Sequence, residues 1–372
     1  MVPGMKTWDA IVVGAGPAGC AAAYDLARAG HEVLLLDRAD FPRQKACAGG
    51  LTLKTIHALR YPVEPVVRQK ISHMRLERDA NRSVVLRRRS PYCAMTVRQE
   101  LDDHCFRQTL AAGAQFQRIG SVETITEDSA GVTISVDGHA LRGRFVVGAD
   151  GVHSRVRQLT NGGDGWFWRA FALEAMVPVP DAAPQELVFD FAPVRDGYGW
   201  VFPKGDHLNI GLYSYSPNEK IDRARLNEYI RKRFDDASAD EIIGQYAGFG
   251  AAQHKIVPTR IFLVGDAGGF VDPLTGEGIY FAVVTGQAAA EAINADLHGH
   301  ATAHERFAQA TAKVRADLAT TTSGARWFYA NLDSAYRILS LRLLQSVVLG
   351  AFANGFNPSK LASRVKKIAV KI

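Results

Sequence analysis

Apolar and polar positions along the chain separate its elements. An apolar run from Ala10 to Val13 breaks at Gly14-Ala15-Gly16-Pro17-Ala18-Gly19. An alanine-rich stretch then continues to about Ala29, and a second apolar run spans Val33 to Leu36. This order predicts strand, turn, helix and strand. Two alternating runs between Ser72 and Arg89 flank Ala80-Asn81-Arg82 and predict a hairpin. Residues 97–112 predict a helix with Leu101, Cys105 and Leu110 inward, and strands follow at 116–127, 131–136 and 141–147. From Trp166 to Phe249 longer alternating runs predict a second, sheet-rich unit, interrupted by a polar helix from Lys220 to Phe234. A buried strand at residues 260–266 returns the chain to the first unit, and helices fill 279–297, 303–318 and 325–352.

Composition narrows this picture only a little. At 372 residues and 47% hydrophobic content, the chain suggests about two domains with a sizeable core. Its 44 basic and 38 acidic residues give a net charge of +6, spread widely. The short clusters Arg87-Arg88-Arg89 and Lys366, Lys367 and Lys371 read first as solvated faces. The tail is where attraction to an anionic membrane or a phosphorylated ligand would sit. No nucleic-acid motif accompanies the charge. Cys20, Cys47, Cys93 and Cys105 show no metal-ligand spacing, and no basic-then-apolar signal segment opens the chain. A reducing cytoplasm is therefore expected, with Met5 a candidate natural start. No apolar run reaches the roughly 18 residues of a spanning helix.

The glycines bring in chemistry. Gly14 allows a tight turn, and Gly16 lets a pyrophosphate approach the backbone. Gly19, after Ala18, lets helix and strand pack closely, while the helix start offers free N–H groups to the anion. Asp37, followed by Arg38, closes the second strand 18 residues after Gly19, where a carboxylate accepts from a ribose 2′-OH. The pattern predicts a dinucleotide site without separating FAD from NAD; an ordinary glycine-rich turn is the alternative. The glycines of the loop at 41–50 allow close approach of something flat or bulky. Gly265-Asp266 ends the returning strand, and Gly276-Glu277-Gly278 precedes the helix that opens at Ile279. In isolation a structural Gly-Asp turn accounts for residues 265–269 equally well.

GAGPAG at 14–19, GADGVHSRVR at 148–157 and RIFLVGDAGGFVDPLTGEGI at 260–279 together resemble the FAD-dependent oxidoreductases related to para-hydroxybenzoate hydroxylase. Within that superfamily, KACAGG at 45–50 and YGWVFPKGDHLNIGL at 198–212 resemble the geranylgeranyl reductase family, with its Cys-Gly-Gly loop and YxWxFPK strand. Ala48 stands where glycine is usual. The resemblance implies an α/β protein: a Rossmann-like FAD-binding domain with an inserted antiparallel-sheet substrate domain and a C-terminal helical segment. The corresponding boundaries are 5–71, 97–160 and 254–300 for the FAD domain, 72–96 and 161–253 for the substrate domain, and 301–372 for the helices.

The activity implied is saturation of carbon–carbon double bonds in an isoprenoid lipid by hydride transfer from reduced flavin, with NAD(P)H or a ferredoxin as transient electron donor. Cofactor contacts are expected from Gly14, Gly16, Ala18, Gly19, Asp37, Arg38, Cys47, Ala48, Arg98, Gly265, Asp266, Gly276, Gly278 and Ile279. Asp266 would take a ribityl hydroxyl, and the helix at Ile279 would face the reduced flavin's negative charge. Arg98 has a flavin-contacting counterpart in the family; a surface helix arginine is the alternative. Asp150 serves nucleotide or helix packing. Cys47 is the catalytic candidate, as a proton donor to the alkene or a residue that positions the chain, with a small apolar residue packed under the flavin as the alternative. Tyr198, Trp200 and Phe202 share one face of a strand and line a substrate channel or form sheet core. Trp166 and Trp168 read as core packing.

Other readings are an aromatic or quinone-type monooxygenase or oxidoreductase, and a non-redox prenyl-lipid carrier. A halogenase fits less well, since YGWVFP stands where those enzymes carry WxWxIP. The apolar stretch 335–352 caps the core or lies on a bilayer, which would make the protein peripheral to a membrane.

Overall fold

The computed structural model describes residues 6–79, 82–160, 165–178, 186–234, 239 and 241–354. Met5, the hairpin turn at Ala80-Asn81 and the basic tail lie outside them. Thr7–Val13 is central to the first sheet because it is apolar on both sides. Ala10 and Val12 pack into one buried cluster, and Ile11 and Val13 into another on the opposite face. It pairs in parallel with Val33–Asp37 and with His139–Gly148. Gln115–Arg118 extends the parallel sheet on one side, and Ile261–Leu263 pairs with the end of His139–Gly148 on the other. Gly131–Val136 and Val122–Asp128 continue it as an antiparallel meander.

The strand expected at 116–127 is two strands, Gln115–Arg118 and Val122–Asp128, on opposite edges of the sheet. The chain changes edges at Gly120, whose N–H is held by Asp137 at 2.8 Å. Leu110 is 37% exposed: Arg98–Ala111 buries Leu101, Cys105 and Thr109 at a spacing of four, and Leu110 falls off that stripe.

The second sheet runs Glu241–Phe249, Trp168–Pro178, His207–Ser214, Gly197–Pro203, Leu187–Asp190, His73–Asp79, Arg82–Arg87. It is antiparallel except where Leu187–Asp190 meets His73–Asp79. The helix Arg223–Arg233, capped by Asp222, covers one face through Leu226, Tyr229 and Ile230. The other face carries an aromatic layer of Phe189, Tyr198, Trp200, Phe202 and Tyr213. A three-stranded sheet, Gly50–Thr52, Cys93–Met95 and Gln69–Ile71, stands beside that layer: Met95 and Ile71 join the same buried cluster.

The expected helix 303–318 runs on to Ala330, and the expected helix 325–352 is divided. Leu332–Ser340 and Leu344–Asn354 meet at 105°. Tyr336, Leu349 and Ala353 cap the aromatic layer, whereas Ile338 and Leu341 are exposed. Among the described residues no single helix is long and apolar enough to cross a membrane; the bent pair matches a span by length and composition only.

Candidate active site

At the end of Thr7–Val13, Gly14 turns the chain with φ of +103°, and its N–H donates to the Leu36 carbonyl at 2.6 Å. A Cβ at Gly19 would overlap the Gly14 carbonyl oxygen. At Gly16 a Cβ would meet only the Arg43 guanidinium, at 3.5 Å, so the space over the first turn of Pro17–Arg28 is open and rimmed by positive charge. That helix start has neither a side-chain cap nor an acidic residue, which leaves its N–H groups and positive end to an anion. Asp37 accepts the Ala15 N–H at 2.7 Å and the Ala39 N–H at 2.9 Å, fixing the turn while retaining lone pairs for a hydroxyl. Arg38 stands apart, exposed, its carbonyl accepting from Arg118 Nε at 3.3 Å. Asp150 organises a helix: it accepts Ser154 Oγ at 2.5 Å and the N–H groups of Arg155 and Val156 at 2.6 and 3.1 Å.

The loop around Cys47 is held between the sheets. Its N–H donates to Glu174 Oε1 at 2.8 Å, and its sulfur accepts the Gly49 N–H at 3.4 Å. Lys204 Nζ donates to the Ala48 carbonyl and, at 2.8 Å, to the Thr96 carbonyl. Gly49 adopts φ of +61°, whereas Ala48 keeps a negative φ, so alanine stands at 48 without backbone strain. Arg98 is buried rather than on a helix surface. Its Nε and Nη2 bind both oxygens of Asp102 at 2.8 Å, and Arg43 approaches the same carboxylate at 3.1 Å. Burial opposes the Arg98 charge, yet Asp102 and the neighbouring Cys47 sulfur hold it firmly protonated.

Across from this loop, a Cβ on Gly265 would come within 3.0 Å of Ala18 Cβ, and one on Gly278 within 3.6 Å of Asp266 Oδ1. Ala18, Gly265, Asp266, Gly278 and Ile279 are thus brought together where two uncapped helix starts converge. Burial raises the Asp266 carboxyl above its ordinary range, with Lys45 opposing. Three tyrosine hydroxyls hold the adjoining segment: Tyr213 donates to the Pro273 carbonyl at 3.0 Å, Tyr329 to that of Leu274 at 2.9 Å, and Tyr198 to that of Thr275. Gly276 follows, 3.3 Å from the Tyr198 oxygen by its would-be Cβ. Trp200 Nε1 donates to Asn209 at 2.6 Å, and Phe202 lies against Gly50. Tyr198, Trp200 and Phe202 therefore share one buried face that abuts both loops. Trp168 stacks on Phe249 at 4.4 Å and Trp166 on His254 at 4.2 Å, both as packing.

An open helix start beside a guanidinium, and a turn closed to any Cβ, fit a bound pyrophosphate. The sequence matches the FAD binding domain family over residues 7–322. It is also 31% identical over 322 residues to the geranylgeranyl diphosphate reductase of Rhodobacter capsulatus, covering 82% of this chain and 79% of that one. The chain belongs to the geranylgeranyl reductase family of FAD-dependent oxidoreductases. Another relative is the menaquinone reductase of Mycolicibacterium smegmatis, 32% identical over 311 residues, 76% of this chain and 75% of that one. A geranylgeranyl bacteriochlorophyll reductase-like protein from Thermoplasma acidophilum shares the fold, with a TM-score of 0.78 over 97% of this chain and 100% of that one at 20% identity.

For this member of the geranylgeranyl reductase family, sequence reasoning missed the charged residues around the Cys47 loop. Glu174 and Lys204 are 3% and 2% exposed and Asp102 is fully buried. Signals existed: Glu174 is the only charge in the apolar run FALEAMVPV, Lys204 ends the YxWxFPK motif, and Asp102 lies four residues after Arg98.

Burial pushes the Glu174 carboxyl up to about 7 against the pull of the Cys47 N–H and Asn209. It pushes Asp272 up to about 6, and it pushes Lys204 down to about 8 against the pull of Cys47 and Glu174. The two raised carboxyls contribute stability that is complete below their ordinary values of 4.5 and 3.8 and is lost as pH rises through about 7 and about 6. Lys204 contributes stability that is complete above 10.5 and is lost as pH falls through about 8. These groups are expected to place a minimum in apoprotein stability between about pH 7 and 8, each group contributing on the order of 3 kcal/mol, so that the acid limb, with two carboxyls, is about twice as deep as the alkaline one. Urea midpoints across pH check this, and Glu174→Gln should remove about half of the acid limb, leaving the part due to Asp272.

Proposed function

We propose that the protein reduces carbon–carbon double bonds of a geranylgeranyl-type isoprenoid. The observation that carries this reading is the buried aromatic face of Tyr198, Trp200 and Phe202 set directly against the loop bearing Cys47. An apolar wall suits a polyprenyl chain, and the thiol offers a proton within it. FAD, when bound, supplies the two-electron redox chemistry, with NAD(P)H or a ferredoxin as the source of electrons.

Gly14, Gly16, Ala18, Gly19, Asp37 and Arg38 would hold the adenylate and pyrophosphate end. Gly265, Asp266, Gly276, Gly278 and Ile279 would hold the ribityl chain and meet negative charge with the helix start. Arg98, Cys47 and Ala48 would face the ring system. Cys47 donates to the alkene carbon: its S–H bond breaks as the C–H bond forms, and Lys204 and Glu174 keep the loop in place.

The test is an absorbance spectrum of the purified protein, then anaerobic reduction and addition of geranylgeranyl diphosphate. Reoxidation by that lipid without oxygen, with product gaining two hydrogens, is expected. Cys47→Ala should slow this step about 10²–10³-fold while leaving the bound-flavin spectrum intact. Equal activity in the variant would return Cys47 to a packing role.

A second reading, reduction of the polyprenyl side chain of a quinone, is favoured by the menaquinone reductase relative, and menaquinone as acceptor separates the two. Hydroxylated product with oxygen uptake would indicate a monooxygenase, and a colourless protein that cannot be reconstituted would indicate a carrier. We infer further that exposed Trp327, Ile338 and Leu341, flanked by exposed Arg326, Arg337 and Arg342, form a lipid-facing edge. Sedimentation with anionic but not neutral vesicles is expected.

A further inference from the structure

Two buried polar atoms beside the aromatic layer have no partner among the described residues, the Tyr92 hydroxyl and Gln69 Oε1. Tyr92 directly precedes the strand Cys93–Met95; it is fully buried, and its N–H donates to the Ile71 carbonyl at 2.8 Å. Gln69 alternates with Ile71 on Gln69–Ile71 and so shares the face on which Ile71, Cys93 and Met95 join the layer. From the Cys47 loop the layer reaches Tyr92 through rings alone. Phe202 lies against Gly50, Phe189 stands 5.2 Å from Phe202, Phe352 5.8 Å from Phe189, and Tyr92 5.9 Å from Phe352. An unpaired hydroxyl at the end of an apolar wall is costly unless something brought to the wall pairs with it.

We propose that Tyr92 is a specificity-determining residue whose hydroxyl, with Gln69 on the same sheet face, binds a neutral oxygen of the lipid, that of an alcohol or of a quinone carbonyl. The proposal rests on the reading of the aromatic face as the wall for an isoprenoid. Its chemistry is set by what surrounds the hydroxyl. Among the described residues no lysine or arginine bonds to it, and rings do not neutralise a diphosphate, so a charged head stays outside while an uncharged one is drawn in. The Gln69 amide turns to offer an acceptor or a donor, and burial holds the Tyr92 hydroxyl protonated as a donor. Phe352, carried by the terminal helix Leu344–Asn354, covers this end of the layer, so the head is seated under that helix.

The test measures binding to the FAD-loaded full chain with oxidised flavin, by quenching of tryptophan fluorescence, and needs no turnover. The probes are geranylgeraniol, a geranylgeranylated benzoquinone, geranylgeranyl diphosphate and an oxygen-free polyene of the same length. Tyr92→Phe is expected to weaken a neutral oxygenated probe about tenfold and to leave the diphosphate and the polyene unchanged. Loss on the alcohol alone or on the quinone alone names the source of the oxygen, and the proposal stands on either. A loss shared by the polyene or the diphosphate, or no loss on either neutral probe, overturns it. The urea midpoint of Tyr92→Phe should be unchanged or raised, because no protein bond is removed. A lowered midpoint means that the hydroxyl has a structural partner, and this too overturns the proposal. Binding of none of the probes to the wild-type chain overturns both the proposal and the isoprenoid reading, whereas binding without reoxidation of the reduced flavin overturns the reading of the reaction alone.

Discussion

Asp102→Ala is expected to destabilise the protein by about 3–5 kcal/mol, the cost of removing one partner from a buried charge cluster. Asp102 is fully buried and accepts from Arg98 twice and from Arg43 once, so two guanidiniums share one carboxylate. Arg43 already has a buried Nε without a partner, and it gains none when the carboxylate goes. The loss should read out as a lower urea midpoint. Flavin affinity should fall with it, because Arg43 rims the open first turn of Pro17–Arg28 and Arg98 stands beside Cys47. Asp102→Asn keeps shape and one acceptor but not charge, and should fall between the two. An unchanged midpoint in the alanine variant would mean that Arg98 reaches water as half-buried Arg43 does, contrary to the burial of Arg98.

Gly19→Ala should abolish flavin binding. The added methyl would overlap the Gly14 carbonyl oxygen, a backbone atom in the same turn, so the turn must deform before the helix can follow. Purified protein is expected to lack the flavin absorbance band and to melt at lower temperature. Gly16→Ala provides the contrast. Its methyl enters open space 3.5 Å from the end of a flexible arginine, so that variant should fold normally and lose affinity only, through a methyl standing where pyrophosphate would lie. Equal flavin content in both variants would remove the glycines from the cofactor site.

What was legible in the sequence was whatever depends on neighbours in the chain. The turn at 14–19, Asp37 closing its strand and the alternation of Tyr198, Trp200 and Phe202 all follow from local backbone periodicity, and the structure has them in those places. What failed depended on distant segments. Nothing local to Leu110 says which helix face meets the sheet, and nothing in 116–127 says that the chain changes edges at Gly120. The divided C-terminal helix reflects the shape of the aromatic layer it caps. Glu174 and Lys204 were hard to read for the same reason. Each can be buried because segments more than a hundred residues away supply partners, the Cys47 N–H for Glu174 and the Ala48 and Thr96 carbonyls for Lys204. In a strand taken alone, such residues look like solvent-facing charges.

The three tyrosines on Pro273, Leu274 and Thr275 come from two strands of the second sheet and from the long helix Ala303–Ala330. Consecutive carbonyls anchored from separate elements turn this stretch into a rigid jamb. The loop carrying Cys47, on the other side of the buried aromatic face, is moored to the second sheet by two ionisable side chains, Glu174 and Lys204. The grip on that loop would therefore slacken or tighten with pH near neutrality, whereas the grip on residues 273–275 would not.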